Sequence, residues 1–151
     1  MKVRYATADD TDAIMALVRE MHAEAPTHRA RRMCEVKAAD YLNDLREEAT
    51  VLVVEDSGGT IAGLAAMIVG ENAWLEGVDA KEVLLYVAQE RRGSSAAMRL
   101  VDAMELVAER RGAKRLVVGD STGNRVAQSI YRRLGYEVAG VQLIKTLTST
   151  M

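Results

Sequence analysis

Residues 82–111, EVLLYVAQERRGSSAAMRLVDAMELVAERR, constrain this chain more than any other stretch. A short apolar run, Val83-Leu84-Leu85-Tyr86-Val87, meets a basic turn of small residues, Arg91-Arg92-Gly93-Ser94-Ser95-Ala96-Ala97, and a helical pattern follows at once. A strand that delivers its chain into a helix N-terminus makes an anion site, because the first turn leaves backbone N–H groups unpaired and the macrodipole adds positive character. Small residues let a phosphate approach the backbone, and two arginines can supply charge-assisted hydrogen bonds. The stretch therefore reads as a cradle for a phosphate-bearing cofactor.

Bulk properties narrow the frame. A chain of 151 residues is expected to form one domain, spanning 1–151, with a real core. The net charge of −2 gives no general argument for nucleic-acid binding, which favours a basic face. Cys34 is the single cysteine, which excludes an intramolecular disulfide framework and any multi-cysteine metal site. Two histidines six apart, His22 and His28, lack the carboxylate spacing of a zinc site. The first ten residues carry charges where a signal peptide needs an apolar core, and the longest apolar stretch, 61–69, is too short to span a bilayer. No membrane association and cytoplasmic residence are the expectations.

The element pattern is mixed. Residues 2–6 read as a first strand and 9–23 as an amphipathic helix, with Ile14, Leu17, Val18 and Met21 on one face after a capping arrangement at Thr7-Ala8-Asp9-Asp10. A second helix is predicted over 31–48, with Cys34, Ala38, Tyr41, Leu42 and Leu45 on its buried face. The charged segment 23–33 reads equally as a loop over a substrate site or as a solvated connector. Residues 50–55 and 60–69 form a hairpin around Asp56-Ser57-Gly58-Gly59. Residues 70–81, with Trp74, read as an irregular connector before a fourth strand at 83–87. A third helix covers 95–111 and ends at Gly112; a strand at 116–119 and a helix at 124–134 follow, then strands at 136–139 and 141–146. The order β-α-α-β-β-β-α-β-α-β-β describes an α/β domain with a mixed sheet rather than a doubly wound one.

These pieces resemble the Gcn5-related N-acetyltransferases. In that family a strand runs into Val-x-Pro-x-x-Arg-Gly-x-Gly-x-Gly/Ala, whose turn wraps the pyrophosphate of coenzyme A; here the matching residues are Val87, Gln89, Arg92, Gly93, Ser95 and Ala97. Gln89 replaces the proline and Ser95 the middle glycine. A second family pattern, Asn-x-x-Ala-x-x-Leu/Ile-Tyr-x-x-x-Gly-Phe/Tyr, is matched by Asn124, Ala127, Ile130, Tyr131, Gly135 and Tyr136. The chain is also similar to the compact acetyltransferases of phage and prophage genomes.

The resemblance implies acetyl transfer from acetyl-CoA to a primary amine, small-molecule or peptide, by direct attack in a ternary complex without metal. It implies that the sheet splays after the fourth strand, that backbone groups of Leu85, Tyr86 and Val87 pair with pantetheine, and that Arg91, Arg92, Gly93, Ser94, Ser95, Ala96 and Ala97 hold the pyrophosphate. Asn124 caps its helix, with a cofactor contact as a second role. Tyr131 is the expected general acid on the departing thiolate, in contact with the cofactor. Glu82 is the expected base, with Glu71 and Glu76 as alternatives. A homodimer follows by analogy. Two rivals stay open: a catalytically silent coenzyme A-binding module of the same fold, and an unrelated nucleotide-binding α/β protein, although no P-loop is present.

Overall fold

The structure, a computed structural model, describes residues 1–25, 30–119 and 125–147. Five strands lie in sequence order across one sheet: β1 (Lys2–Tyr5), β2 (Thr50–Glu55), β3 (Ile61–Glu71), β4 (Val78–Val87) and β5 (Ala113–Val117). The first four pair antiparallel and β5 runs parallel to β4, so the sheet is mixed as expected. Helices α1 (Thr11–Glu24) and α2 (Glu35–Glu48) cover one face; α3 (Ala96–Arg110) and α4 (Arg125–Arg133) accompany the other.

Each face has its own core because strand side chains alternate. Val51, Val53, Leu64, Ala66 and Tyr86 meet Ile14, Leu17, Val18, Leu42 and Leu45 on the α1/α2 side. Leu52, Val54, Ala65, Met67 and Ala80 meet Leu100, Val101, Met104 and Tyr131 on the other. Gly63 lets β3 and β4 close up, since a Cβ there would lie 2.7 Å from the Tyr86 carbonyl oxygen. The β2–β3 turn forms as its residues dictate: Asp56 Oδ1 accepts from the amides of Gly58 (2.9 Å) and Thr60 (3.0 Å), and Gly59 takes φ +82°.

Four expectations need correction. Residues 70–81 are mostly strand: β3 and β4 form a long hairpin whose loop is only residues 72–77. Asp79 and Lys81 alternate with Val78 and Ala80, so polar residues hid a period-two pattern. Cys34 is exposed at the N-cap of α2 rather than in the core, because the helix begins one residue later at Glu35. Tyr41 is half exposed. The strands predicted at 136–139 and 141–146 do not form; residues 136–147 carry no regular structure, and Val138, Val141, Leu143, Ile144 and Leu147 stand exposed. β-prone composition makes a strand only where another strand takes up its backbone groups, and no edge does so here among the described residues.

The end of β1 is tied to the entry of α1. Arg4 grips buried Asp10 with two nitrogens at 2.8 and 2.9 Å, and Asp10 also accepts from the Thr7 amide at 2.8 Å. The guanidinium holds the Asp10 carboxyl down to about 2. A depressed folded pKa stabilises above the ordinary carboxylate range and is lost as pH falls through the folded value. Melts should therefore show stability falling between roughly pH 5 and pH 2 by about 1–2 kcal/mol from this group, and Asp10→Asn should flatten that limb.

Candidate active site

Strand β4 builds the site through two irregularities. Its partner β5 accompanies it only through the pairs Val78↔Ala113, Ala80↔Leu116 and Lys81↔Val117. Beyond Lys81 the outer edge of β4 has no strand beside it among the described residues, which is the expected splay. The Ala88 amide donates to Ala62 (2.9 Å), and this fixes the phase of the antiparallel ladder. By its two-residue alternation, Tyr86 and Leu84 turn their backbone groups to β3, while those of Leu85 and Val87 point to the open edge. A ligand amide laid along that edge would meet donors and acceptors that no strand pairs among the described residues, although the Val87 carbonyl already receives a long hydrogen bond from Arg92 Nη2 at 3.4 Å.

The second irregularity is a β-bulge. Ala66 pairs with Leu84 but Met67 pairs with Glu82, leaving Val83 as the extra residue. Val83 and Leu84 consequently both face the α1/α2 core. Glu82 shares the opposite face with Ala80, Leu85 and Val87, the face on which Tyr131 packs. Bulges of this kind re-aim side chains next to functional sites.

Between β4 and α3 the chain makes one turn of 3-10 helix, Gln89–Arg91, and then a tight reversal. Gly93 sits at φ +84°, a conformation L side chains rarely adopt. The Ser94 hydroxyl donates to the Arg91 carbonyl at 2.6 Å and accepts from the Ala96 amide at 3.3 Å. The amides of Gly93, Ser95, Ala97 and Met98 donate to no acceptor among the described residues. They open the N-terminus of a fifteen-residue helix, the arrangement that suits a phosphate. Both arginines of the turn are committed to acids: Arg91 to Asp56 at 2.6 Å, and Arg92 bidentately to Glu24 at 2.6 and 2.7 Å.

Tyr131 and Glu82, 49 residues apart in sequence, meet: the buried phenol donates to Glu82 Oε2 at 3.3 Å. The Tyr131 ring stands edge-on to Tyr136, centroids 5.2 Å apart, and the Tyr136 hydroxyl donates to Glu105 on α3 at 2.9 Å. Burial, with the adjacent Glu105 carboxylate, pushes the Tyr136 phenol well above its ordinary pKa, so it stays a donor. Tyr131 is thereby held between sheet and helix with its hydroxyl on a carboxylate.

The remaining candidates lie apart from this pair. Glu71 and Glu76 are exposed around the β3–β4 loop, whose tip displays Trp74 to solvent. His22 bonds the Arg31 carbonyl through Nε2, and Cys34 is a free, exposed thiol. Asn124 and His28 lie outside the described residues. Sequence reasoning missed Glu24 and Glu105. A signal existed for Glu24: an acid in the last turn of a helix opposes the dipole and calls for a cation.

The acetyltransferase (GNAT) family matches residues 13–136 of the chain, from α1 through Tyr136. The chain belongs to this family. GNAT enzymes use acetyl-CoA, and the open β4 edge and free amides at the start of α3 fit such a ligand. The L-methionine sulfoximine/L-methionine sulfone acetyltransferase of Pseudomonas aeruginosa is 29% identical over 96 residues, 63% of this chain; the chain spans about half (55%) of that relative's length. Among solved structures, a mutant BH1408 protein from Bacillus halodurans superposes with TM-score 0.84 at 18% identity, covering 98% of this chain and 100% of the other, a likeness of fold. Ribosomal-protein-alanine N-acetyltransferase from Brucella melitensis gives TM-score 0.75 at 25% identity, covering 93% and 86%. No described helix of this GNAT chain is long and apolar enough to cross a membrane.

Proposed function

We propose that this chain transfers an acetyl group from acetyl-CoA to a primary amine by direct attack. The observation that carries the reading is the Tyr131–Glu82 hydrogen bond beside an unpaired strand edge. Leu85 and Val87 bind and orient the thioester arm through their outward backbone groups. The amides of Gly93, Ser95, Ala97 and Met98 hold the diphosphate. Bound there, acetyl-CoA supplies an activated acyl carbonyl and a thiolate leaving group.

Glu82 takes the proton that an ammonium ion must lose before its nitrogen can attack. Tyr131 gives a proton to the departing sulfur, and the bond between the two side chains lets Glu82 return it to the phenol. The balance is one ammonium and one thioester consumed, with one amide, one free thiol and one proton released. Tyr136 and Glu105 orient Tyr131 through ring contact and the hydrogen bond behind it. Acetylation of an amino-acid amine is the acceptor reading best supported, because the methionine sulfoximine relative acts on that class. Cytoplasmic residence, a homodimer and kinship with compact phage enzymes belong to the same proposal and rest on the sequence alone.

The test is thiol release on incubation with acetyl-CoA and a panel of amines: methionine sulfone and sulfoximine, a polyamine, an aminoglycoside and a peptide N-terminus. Release with at least one acceptor is expected. Tight coenzyme A binding with no release from any amine would favour the silent coenzyme A-binding module instead.

A further inference from the structure

Arg92 stands at the arginine position of the coenzyme A motif, yet its guanidinium is turned toward α1. Its two terminal nitrogens clasp both oxygens of Glu24, its Cζ lies over the Tyr86 ring 5.4 Å from the ring centre, and Nη2 also reaches the Val87 carbonyl at 3.4 Å. The buried Tyr86 hydroxyl donates to the same Glu24 Oε2 at 2.6 Å, so one carboxylate receives three hydrogen bonds. One turn earlier on α1, Glu20 accepts from the Gln89 amide at 3.0 Å. Two acids on one helix face thus hold residues 86, 89 and 92, on both sides of the turn that leads into α3. Chain positions 68 residues apart are joined where the strand stops and the phosphate cradle begins.

We infer that Glu24 is a positioning residue for the phosphate-binding turn, acting through Arg92: the guanidinium is a structural clasp fixing the end of β4 to α1, and the diphosphate is left to the backbone amides. This rests on the coenzyme A reading above. A planar fork on a carboxylate with a ring beneath it is a geometry that arginine satisfies and lysine does not. A phosphate contact is less discriminating, since lysine also serves a phosphate well as a point charge. The clasp also separates two parts of one ligand. The amide-bearing arm lies on the β4 edge, whereas the diphosphate depends on where Gly93 and Ser95 stand relative to that edge.

The experiment measures binding of coenzyme A and of pantetheine, which lacks the diphosphate, by calorimetry on the full chain and its variants. Glu24→Gln and Arg92→Lys are each expected to weaken coenzyme A by roughly tenfold to a hundredfold, the scale of a displaced preorganised group, with pantetheine binding little changed. The exchange Glu24→Arg with Arg92→Glu restores the ion pair in reverse and should recover most of the coenzyme A affinity. If Arg92→Lys binds coenzyme A as the unmodified chain does, or Glu24→Gln has no effect, the inference is overturned while the coenzyme A reading stands. An exchange variant that folds and binds as poorly as Arg92→Glu alone has the same meaning. No coenzyme A binding by the unmodified chain removes both.

Discussion

Tyr131→Phe is expected to lower acetyl transfer by about a hundredfold or more while leaving coenzyme A affinity nearly unchanged. The substitution removes one oxygen and its proton and keeps the ring that packs on Tyr136 and the α3 face. Folding should be preserved, because the packed ring stays and the hydrogen bond lost to Glu82 goes to a carboxylate that is only partly buried. The affinity should hold because backbone amides and the β4 edge carry it. The effect therefore belongs to kcat. Glu82→Gln should also reduce turnover, and combining the two should cost less than the product of their separate effects, since both act through one bond. Thiol-release rates across the three variants decide it; undiminished turnover in Tyr131→Phe removes the general acid from the scheme.

Leu100→Ala is expected to be the most damaging of the simple core truncations, destabilising the chain by about 3 kcal/mol and lowering Tm by roughly 10 °C. Leu100 is fully buried on α3 among Val101, Met104 and the strand residues of that face. Removing three carbons leaves a cavity between two rigid layers, and neither sheet nor helix can collapse into it freely. Because the N-terminus of α3 bears the free amides, coenzyme A binding should weaken with stability. Glu109→Ala, exposed on the outer face of the same helix, should change stability by no more than about 0.5 kcal/mol. Thermal melts of the two variants side by side measure the contrast.

The resemblance to the family named Tyr131 and, with Glu71 and Glu76 as alternatives, Glu82; that Tyr131 and Glu82 meet in one hydrogen bond is visible only in the folded chain. The turn at Gly93 was legible, since its small residues and positive φ leave a local mark. What escaped was whatever depended on pairing. The extra residue Val83, which decides the face Glu82 occupies, exists only relative to β3. The true start of β4 at Val78 was masked by Asp79, which answers to Asn72 and Arg115 rather than to solvent. Arg92 was assigned to phosphate because its partner Glu24 lies 68 residues away, and no local pattern links the two. The C-terminal segment erred the other way: Val141, Leu143 and Ile144 have strand composition, but composition does not supply a neighbour.

The half-edge of β4 makes this sheet unfinished, and that gives ligand and fold a shared thermodynamics. Any molecule whose amides occupy the outward groups of Leu85 and Val87 extends a ladder that, among the described residues, β5 leaves at Lys81. Its binding free energy is then also folding free energy: at about a hundred times its dissociation constant, such a ligand adds roughly 2.7 kcal/mol. Thermal stability thus becomes a readout of occupancy, and the melting point of the chain in a cell would follow its supply of ligand.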